Sequence, residues 1–155
     1  MTRLQFLCVN HRRWIIENPD VALRTWMQAY SRSIELLDDY HHLQAAQHAG
    51  AAYEIADIML AHVTQPNAVD ICRFCDSGLL LVQLLYLIDE AQLAATVMAS
   101  ALARLEGLLT AGGNRRAIMS GCQRLQQFAH CPPKGALKGN APEATVNSRA
   151  SAQVH

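Results

Sequence analysis

Residues 43–63 read LQAAQHAGAAYEIADIMLAHV, and this stretch decides the fold. Its first part is rich in small residues, and large apolar side chains follow in its second part. The small residues are Ala45, Ala46, Ala49, Gly50, Ala52 and Ala56, and the large ones are Tyr53, Ile55, Met59, Leu60 and Val63. Because short side chains let helix axes approach closely, we predict a central helix with neighbours on more than one side.

The composition of the chain indicates an all-α protein. Hydrophobic residues make up 51% of the 155 residues but aromatic residues only 6%, because leucine and alanine dominate the apolar part. Both are strong helix formers. The alternating runs of β-branched and aromatic residues that are typical of strands do not occur in the sequence. A chain of this length is long enough for one domain with a hydrophobic core.

Apolar periodicity and helix-breaking residues predict about six helices arranged as antiparallel hairpins. Asn18 and Pro19 are typical of a helix start, and Gly112 is typical of a helix end. The predicted helices cover 3–17, 19–40, 43–63, 68–88, 91–109 and 115–130. We expect residues 1–131 to form a single domain. Large apolar side chains are almost absent from 132–155, so we expect a disordered C-terminal tail there.

The charges are unevenly distributed along the chain although the formal net charge is zero. Residues 1–32 hold five arginines against two acids, residues 33–103 hold nine acids against Arg73 alone, and residues 104–155 hold seven basic residues against two acids. A nucleic-acid interface needs a clustered basic face, so we expect no nucleic-acid partner. The acidic middle predicts solvated helix surfaces or, alternatively, a surface that attracts a basic partner.

The sequence indicates a cytoplasmic protein without a membrane partner. The N-terminal residues lack the apolar segment of a secretory signal. The longest apolar run, 78–88, has about half the length that a bilayer span requires. The five cysteines are an odd number, and we expect them to be free thiols in a reducing compartment.

A spacing of apolar residues occurs twice, 45 residues apart. The steps of 4, 9, 4 and 3 residues are the same in Leu36, Tyr40, Ala49, Tyr53, Ala56 and in Leu81, Leu85, Ala94, Met98, Ala101. This pattern resembles the tetratricopeptide repeat, a helical hairpin with small residues at fixed positions of its second helix. The likeness covers residues 30–109, with Ser33 and Gly78 where the family has a large residue and a period longer than the family's. The expected architecture is a tetratricopeptide-like stack or, alternatively, an irregular helical bundle.

The resemblance implies a scaffold that holds a partner protein. In the family, the first helices of the hairpins line the binding groove, which here implies the helices at 20–40 and 70–88. Their aromatic residues Trp26, Tyr30 and Tyr86 are the candidate binding residues, and burial in the core is the competing interpretation for each. We therefore predict a small adaptor, scaffold or regulatory protein that binds a protein partner or another copy of itself.

Cys72 and Cys75 form the one cysteine pair with a spacing known from functional sites, C-x-x-C. A redox role requires a thiol of lowered pKa at a helix N-terminus, and a zinc site requires two further ligands, for which Cys122, His130 and Cys131 are candidates. The alternative is that both are small apolar core residues. A metal- or thiol-responsive regulator and a helical ligand-binding bundle are thus the alternative functions. No phosphate loop or nucleophile motif occurs, so we expect neither an enzyme nor a cofactor.

Overall fold

The computed structural model describes residues 5–130, and these form six α-helices without a strand. The helices are α1 Val9–Glu17, α2 Pro19–Asp38, α3 His42–His62, α4 Ala68–Leu87, α5 Ala91–Thr110 and α6 Arg115–His130. The predicted all-α class is therefore confirmed. The tail predicted at 132–155, the boundary at 131 and the side chain of Cys131 lie outside the described residues.

The first helix starts later than predicted. Within the described residues, 5–8 precede the helix, and Cys8 is its N-cap, with its sulfur accepting a hydrogen bond from the His11 N–H at 3.4 Å. Phe6 and Leu7 instead pack on α3. Gly50 makes this possible, because a Cβ at that position would overlap the Phe6 ring. The periodicity of the sequence did not distinguish this extended segment from a first helical turn.

Consecutive helices from α2 to α6 are antiparallel, because connections of only three to five residues join them. Each of them packs on the next, and α6 packs on α4 as well as on α5. The main core lies between α3, α4 and α5, with Phe74, Leu81 and Leu84 of α4 fully buried at its centre. This central position explains why α4 is apolar on nearly all sides.

α3 is buried on two sides, as residues 43–63 predicted. One side, including Ala49 and Tyr53, belongs to the main core. The other side contributes Ile55 and Ile58 to a second cluster, which Leu7, Ile15 and Ala22 complete. Glu54 is buried beside this second cluster, where it accepts a hydrogen bond from the Phe6 N–H and pairs with Arg12 at 3.2 Å.

Three of the helices end in the same hydrogen-bonded turn. After α2, α4 and α5 the residues Tyr40, Asp89 and Gly112 adopt positive φ angles of 62°, 63° and 83°. The N–H group that follows each of them reaches back to a carbonyl of the last helical turn at 2.8–2.9 Å, the pattern of a Schellman motif. The second predicted helix therefore ends at Asp38, and Tyr40 lies in the turn rather than in an apolar ladder.

Candidate protein-interaction face

Trp26 is the centre of an ordered cluster between α2 and α4. Its indole ring stacks on the ring of Tyr30 with a centroid distance of 5.1 Å, and the Arg73 guanidinium lies over the indole at 5.3 Å. The indole Nε1 donates a hydrogen bond to the Ser77 hydroxyl at 2.8 Å, and that hydroxyl donates to the Arg73 carbonyl. Asp70 holds the Arg73 side chain at 3.1 Å. The Ser77 hydroxyl and the Arg73 guanidinium both contact the indole, and each is held in place by a second contact.

α6 joins this cluster through an ion pair between Arg124 and Asp76 of α4. Both residues act on Tyr30. Partial burial raises the pKa of Tyr30, the Asp76 carboxylate raises it further, and the Arg124 guanidinium lowers it in part. The phenol is therefore neutral around pH 7. We call the surface that the outward sides of α2, α4 and α6 form around Trp26, Asp76 and Arg124 the front face.

An exposed apolar stripe borders the Trp26 cluster on α2. Leu23, Met27 and Ile34 follow one another at helical spacing next to Tyr30, and they are 42%, 54% and 39% exposed. The neighbouring side of the same helix, which packs on α3, carries Ala22, Ser33 and Leu36. The apolar arc of α2 thus spans about half of the helix circumference at 100° per residue, and only one part of it is covered.

Two of the three predicted binding aromatics come together, and the third lies elsewhere. Trp26 and Tyr30 form the stacked pair, half buried at the edge of the main core. Tyr86 is also partly buried against that core. However, it lies nine residues beyond Ser77 on α4, or about 13 Å further along the helix axis. It is not part of the cluster.

A groove lies between the N-terminal halves of α4 and α6 at one end of the front face. Its volume is about 250 Å³. The floor is apolar, and the rim carries two arginines and two small polar side chains. The groove is lined by Ala68, Ile71, Cys72, Cys75, Asn114, Arg116, Ala117, Ser120, Gly121 and Arg124. Gly121 closes its lower end, since a Cβ there would lie only 2.6 Å from the Cys75 sulfur.

The two cysteines of the C-x-x-C pair lie in different environments. Cys72 is exposed in the groove, whereas Cys75 is buried in the main core. Burial raises the pKa of the Cys75 thiol to about 12, which is the opposite direction from that of an activated thiol. Among residues 5–130, no three His, Cys, Asp or Glu side chains form a group that could hold a metal ion.

One helix within the described range, α5, is long and apolar enough to cross a membrane. This is weak evidence, because a helix that packs in the core of a soluble protein passes the same test. Ala94, Val97 and Leu105 of α5 are buried in the main core. The longest apolar run of the sequence, 78–88, lies at the end of α4 and not in α5, and the cytoplasmic location stays a prediction.

Comparison of the chain with known protein families, with curated proteins and with solved structures gave no match. Sequence reasoning missed most side chains of the front face: the apolar stripe on α2, and Arg73, Asp76, Ser77 and Arg124. The stripe had a signal, since Leu23, Met27 and Ile34 continue an apolar pattern beyond the width that a single neighbour covers. The polar contacts between helices had none, because Trp26–Ser77 and Asp76–Arg124 each join residues about 50 positions apart.

Proposed function

We propose that this protein is a small helical adaptor or regulatory protein that binds another protein through its front face. The observation that carries the proposal is the exposed apolar stripe of Leu23, Met27 and Ile34 on α2, beside the ordered Trp26 cluster. Single exposed apolar residues are ordinary, but a row of them on one helix marks an interaction surface. The aromatic and arginine residues next to it are of the types that dominate binding energy in protein interfaces.

The shape of the stripe favours a helical partner. Its three side chains lie on one side of α2 over three helical turns, which suits the apolar side of an amphipathic helix. Trp26 and Arg73 are held by Ser77 and Asp70, so little side-chain entropy is lost when a partner covers them. A face that is ordered in this way supports binding rather than catalysis.

The order of helix packing also supports the tetratricopeptide-like interpretation, which we retain as part of the proposal. The first helices of the two hairpins are α2 and α4, and they supply most of the front face together with α6. This is the surface that the resemblance implies for a bound partner. The partner itself is another protein or a second copy of the chain.

Paired charge substitutions on α2 test the proposal. The double variant Met27→Asp/Ile34→Asp lowers the net charge by two within the stripe, and Gln28→Asp/Arg32→Gln makes the same change in net charge on the exposed polar side of the same helix. Self-association is measured by sedimentation velocity, and binding of other proteins by quantitative capture from native lysate with each variant as bait. Thermal unfolding followed by circular dichroism shows whether both variants keep the fold.

The proposal predicts that the stripe variant loses a bound protein or its self-association, whereas the polar-side variant keeps it. A loss that is equal in both variants would show that net charge rather than the stripe matters. Wild-type protein that stays monomeric and captures nothing that depends on Met27 and Ile34 would overturn the proposal.

A further inference from the structure

The groove between α4 and α6 combines an apolar floor with an unbalanced positive rim. Ile71, Cys75 and Gly121 form the floor, and Arg116 and Arg124 stand on the rim. Within residues 5–130, Arg124 pairs with Asp76, but Arg116 forms no ion pair with any carboxylate. No acidic side chain lines the groove. A negatively charged occupant would therefore balance the positive charge at the rim of the groove.

The directions of the two helices reinforce this positive rim. Ala68 and Asn114 both line the upper end of the groove, and Asp76 meets Arg124 further down, so α4 and α6 run in the same direction. Both helices thus point their N-termini, the positive ends of their dipoles, to the same end of the groove. Asn67 and Asp70 already cap α4. On α6, Asn114 accepts the Ala117 N–H, so most of the anion attraction has to come from Arg116 and Arg124.

The size of the groove restricts what can enter it. A volume of about 250 Å³ lies below the range of about 300–1,000 Å³ that is typical of pockets for cofactors and drug-sized ligands. It suits one or two side chains of a polypeptide. The apolar floor selects an aliphatic side chain, and the arginines at the rim select carboxylates next to it.

We infer that the α4–α6 groove binds an acidic peptide segment of the partner protein, with one aliphatic side chain on the floor and neighbouring carboxylates at Arg116 and Arg124. This inference rests on the proposed function, since it names the partner chemistry at one end of the same front face. The remaining N–H groups of Arg124 stay available while Asp76 occupies one of its nitrogens.

Cys72 provides a built-in reporter, because its exposed thiol lines the groove. The experiment measures the alkylation rate of Cys72 by iodoacetamide, a neutral reagent, with mass spectrometry on the full chain. Cys8 is exposed on the N-terminal segment, away from the groove, and serves as the internal reference. The probes are three capped pentapeptides: Glu-Glu-Leu-Glu-Glu, the same sequence with a central alanine, and Lys-Lys-Leu-Lys-Lys.

We expect the acidic leucine peptide to slow Cys72 alkylation about threefold at twice its Kd, where two-thirds of the grooves are occupied, and to leave Cys8 unchanged. The alanine and lysine peptides should protect much less. Arg116→Gln should raise the Kd of the acidic peptide about threefold, as expected for the loss of a solvent-accessible ion pair. Arg115→Gln is the matched control, because Arg115 is the adjacent exposed arginine and does not line the groove.

Three results would overturn the inference: no protection of Cys72 by the acidic leucine peptide, equal protection by the lysine peptide, or equal weakening by Arg115→Gln and Arg116→Gln. Ala68→Leu, which narrows the groove from an exposed position, should reduce protection without loss of the fold. The two proposals fail separately. If the Met27 and Ile34 variant keeps its partners but the peptide protects Cys72, only the role of the stripe is wrong. If the stripe matters but no peptide protects Cys72, only the groove inference is wrong.

Discussion

Tyr40 and Asp89 occupy the same position in two successive helical hairpins, with φ angles of 62° and 63°. Each is the first residue beyond the cap of a hairpin's first helix, and each is followed by the N–H that reaches back to the last helical turn. An L-residue with a side chain pays a conformational cost in this left-handed region, and glycine does not. The backbone hydrogen bonds of the two turns therefore hold non-glycine residues in a conformation that costs free energy.

Glycine at these turns should stabilise the protein. We expect Tyr40→Gly to raise the free energy of unfolding by about 1 kcal/mol, because Tyr40 is 82% exposed and its side chain contributes little packing. Asp89→Gly should give a smaller gain, since aspartate tolerates this conformation better. At the third turn, Gly112→Ala should lower the free energy of unfolding by about 1 kcal/mol. Urea denaturation measures all three, and a loss of stability for Tyr40→Gly would contradict this account.

The helix boundaries also show how far the sequence pattern reached. α4 begins at Ala68, 49 residues after Pro19, and ends at Leu87, 49 residues after Asp38. The sequence ladders suggested a period of 45 residues, which is one helical turn too short. Alanine-rich helices offer small residues at several registers, so the ladder matched Tyr40 to Leu85, a turn residue to a buried one. The turn residues, rather than the ladders, carry the register.

Gly50 has a different role from the one that the sequence suggested. A larger residue there would overlap the Phe6 ring, which packs against the edge of the main core, rather than a residue of the neighbouring helices. We expect Gly50→Ala to displace the segment around Phe6 and to increase its cleavage by proteases. In a Phe6→Ala background, Gly50→Ala should become neutral or stabilise by up to about 1 kcal/mol, because alanine favours the helix. Ala49→Leu, which enters the main core, should destabilise in both backgrounds.

The buried Glu54 carboxylate should make Arg12 important for stability. Arg12→Ala removes the cation at 3.2 Å and leaves only the Phe6 N–H beside a buried charge. We expect a loss of about 2 kcal/mol, below the value for a fully buried pair because Arg12 is partly exposed. Arg12→Met/Glu54→Leu should recover most of it. A double-mutant cycle of Arg12→Met, Glu54→Leu and the double variant, measured by chemical denaturation, checks the coupling, and additive losses would show that the two side chains act independently.

The hydrogen bond between Trp26 and Ser77 should contribute about 1 kcal/mol to the free energy of unfolding, as is usual for such a bond. Trp26→Phe removes the donor and keeps a ring beneath Arg73. Ser77→Ala removes the acceptor and leaves the indole N–H without its partner, whereas Trp26→Phe also loses part of the ring that stacks on Tyr30, so both variants should lose stability. Thermal denaturation of both single variants and the double variant separates these contributions. Equal stability of Ser77→Ala and wild type would show that water replaces the hydroxyl.

The Cys75 thiol should make the protein less stable in alkali. Burial raises its pKa to about 12 from an ordinary value of 9.0, so the unfolded chain loses this proton first as the pH rises. The contribution is fully present below pH 9 and is lost between pH 9 and 12. Tyr53, whose pKa burial raises to about 12, acts in the same direction. Denaturation of wild type and Cys75→Ala from pH 8 to 11 should show a shallower decline for the variant.

The contrast between α2 and α4 shows what the sequence could and could not predict. Periodicity placed the helices, since burial of one side of each helix repeats within the sequence itself. It also placed Trp26 and Tyr30 on the correct helix. It could not predict that Arg73 lies over Trp26 or that Arg124 reaches Asp76, because these contacts depend on how helices distant in sequence cross. Cys72 and Cys75 share a motif, but packing against α6 buries only one of them.

The short antiparallel connections place acidic and basic residues at opposite ends of the helix bundle. The acidic pairs at 38–39 and 89–90 lie at the C-terminal ends of α2 and α4. The arginines at 115–116 begin α6, at the opposite end of the helix bundle. A charged partner therefore exerts a torque on the protein before contact, and an acidic one meets the arginine end first. The approach is oriented over distances of about one Debye length, and salt weakens the orientation before it weakens the apolar contacts.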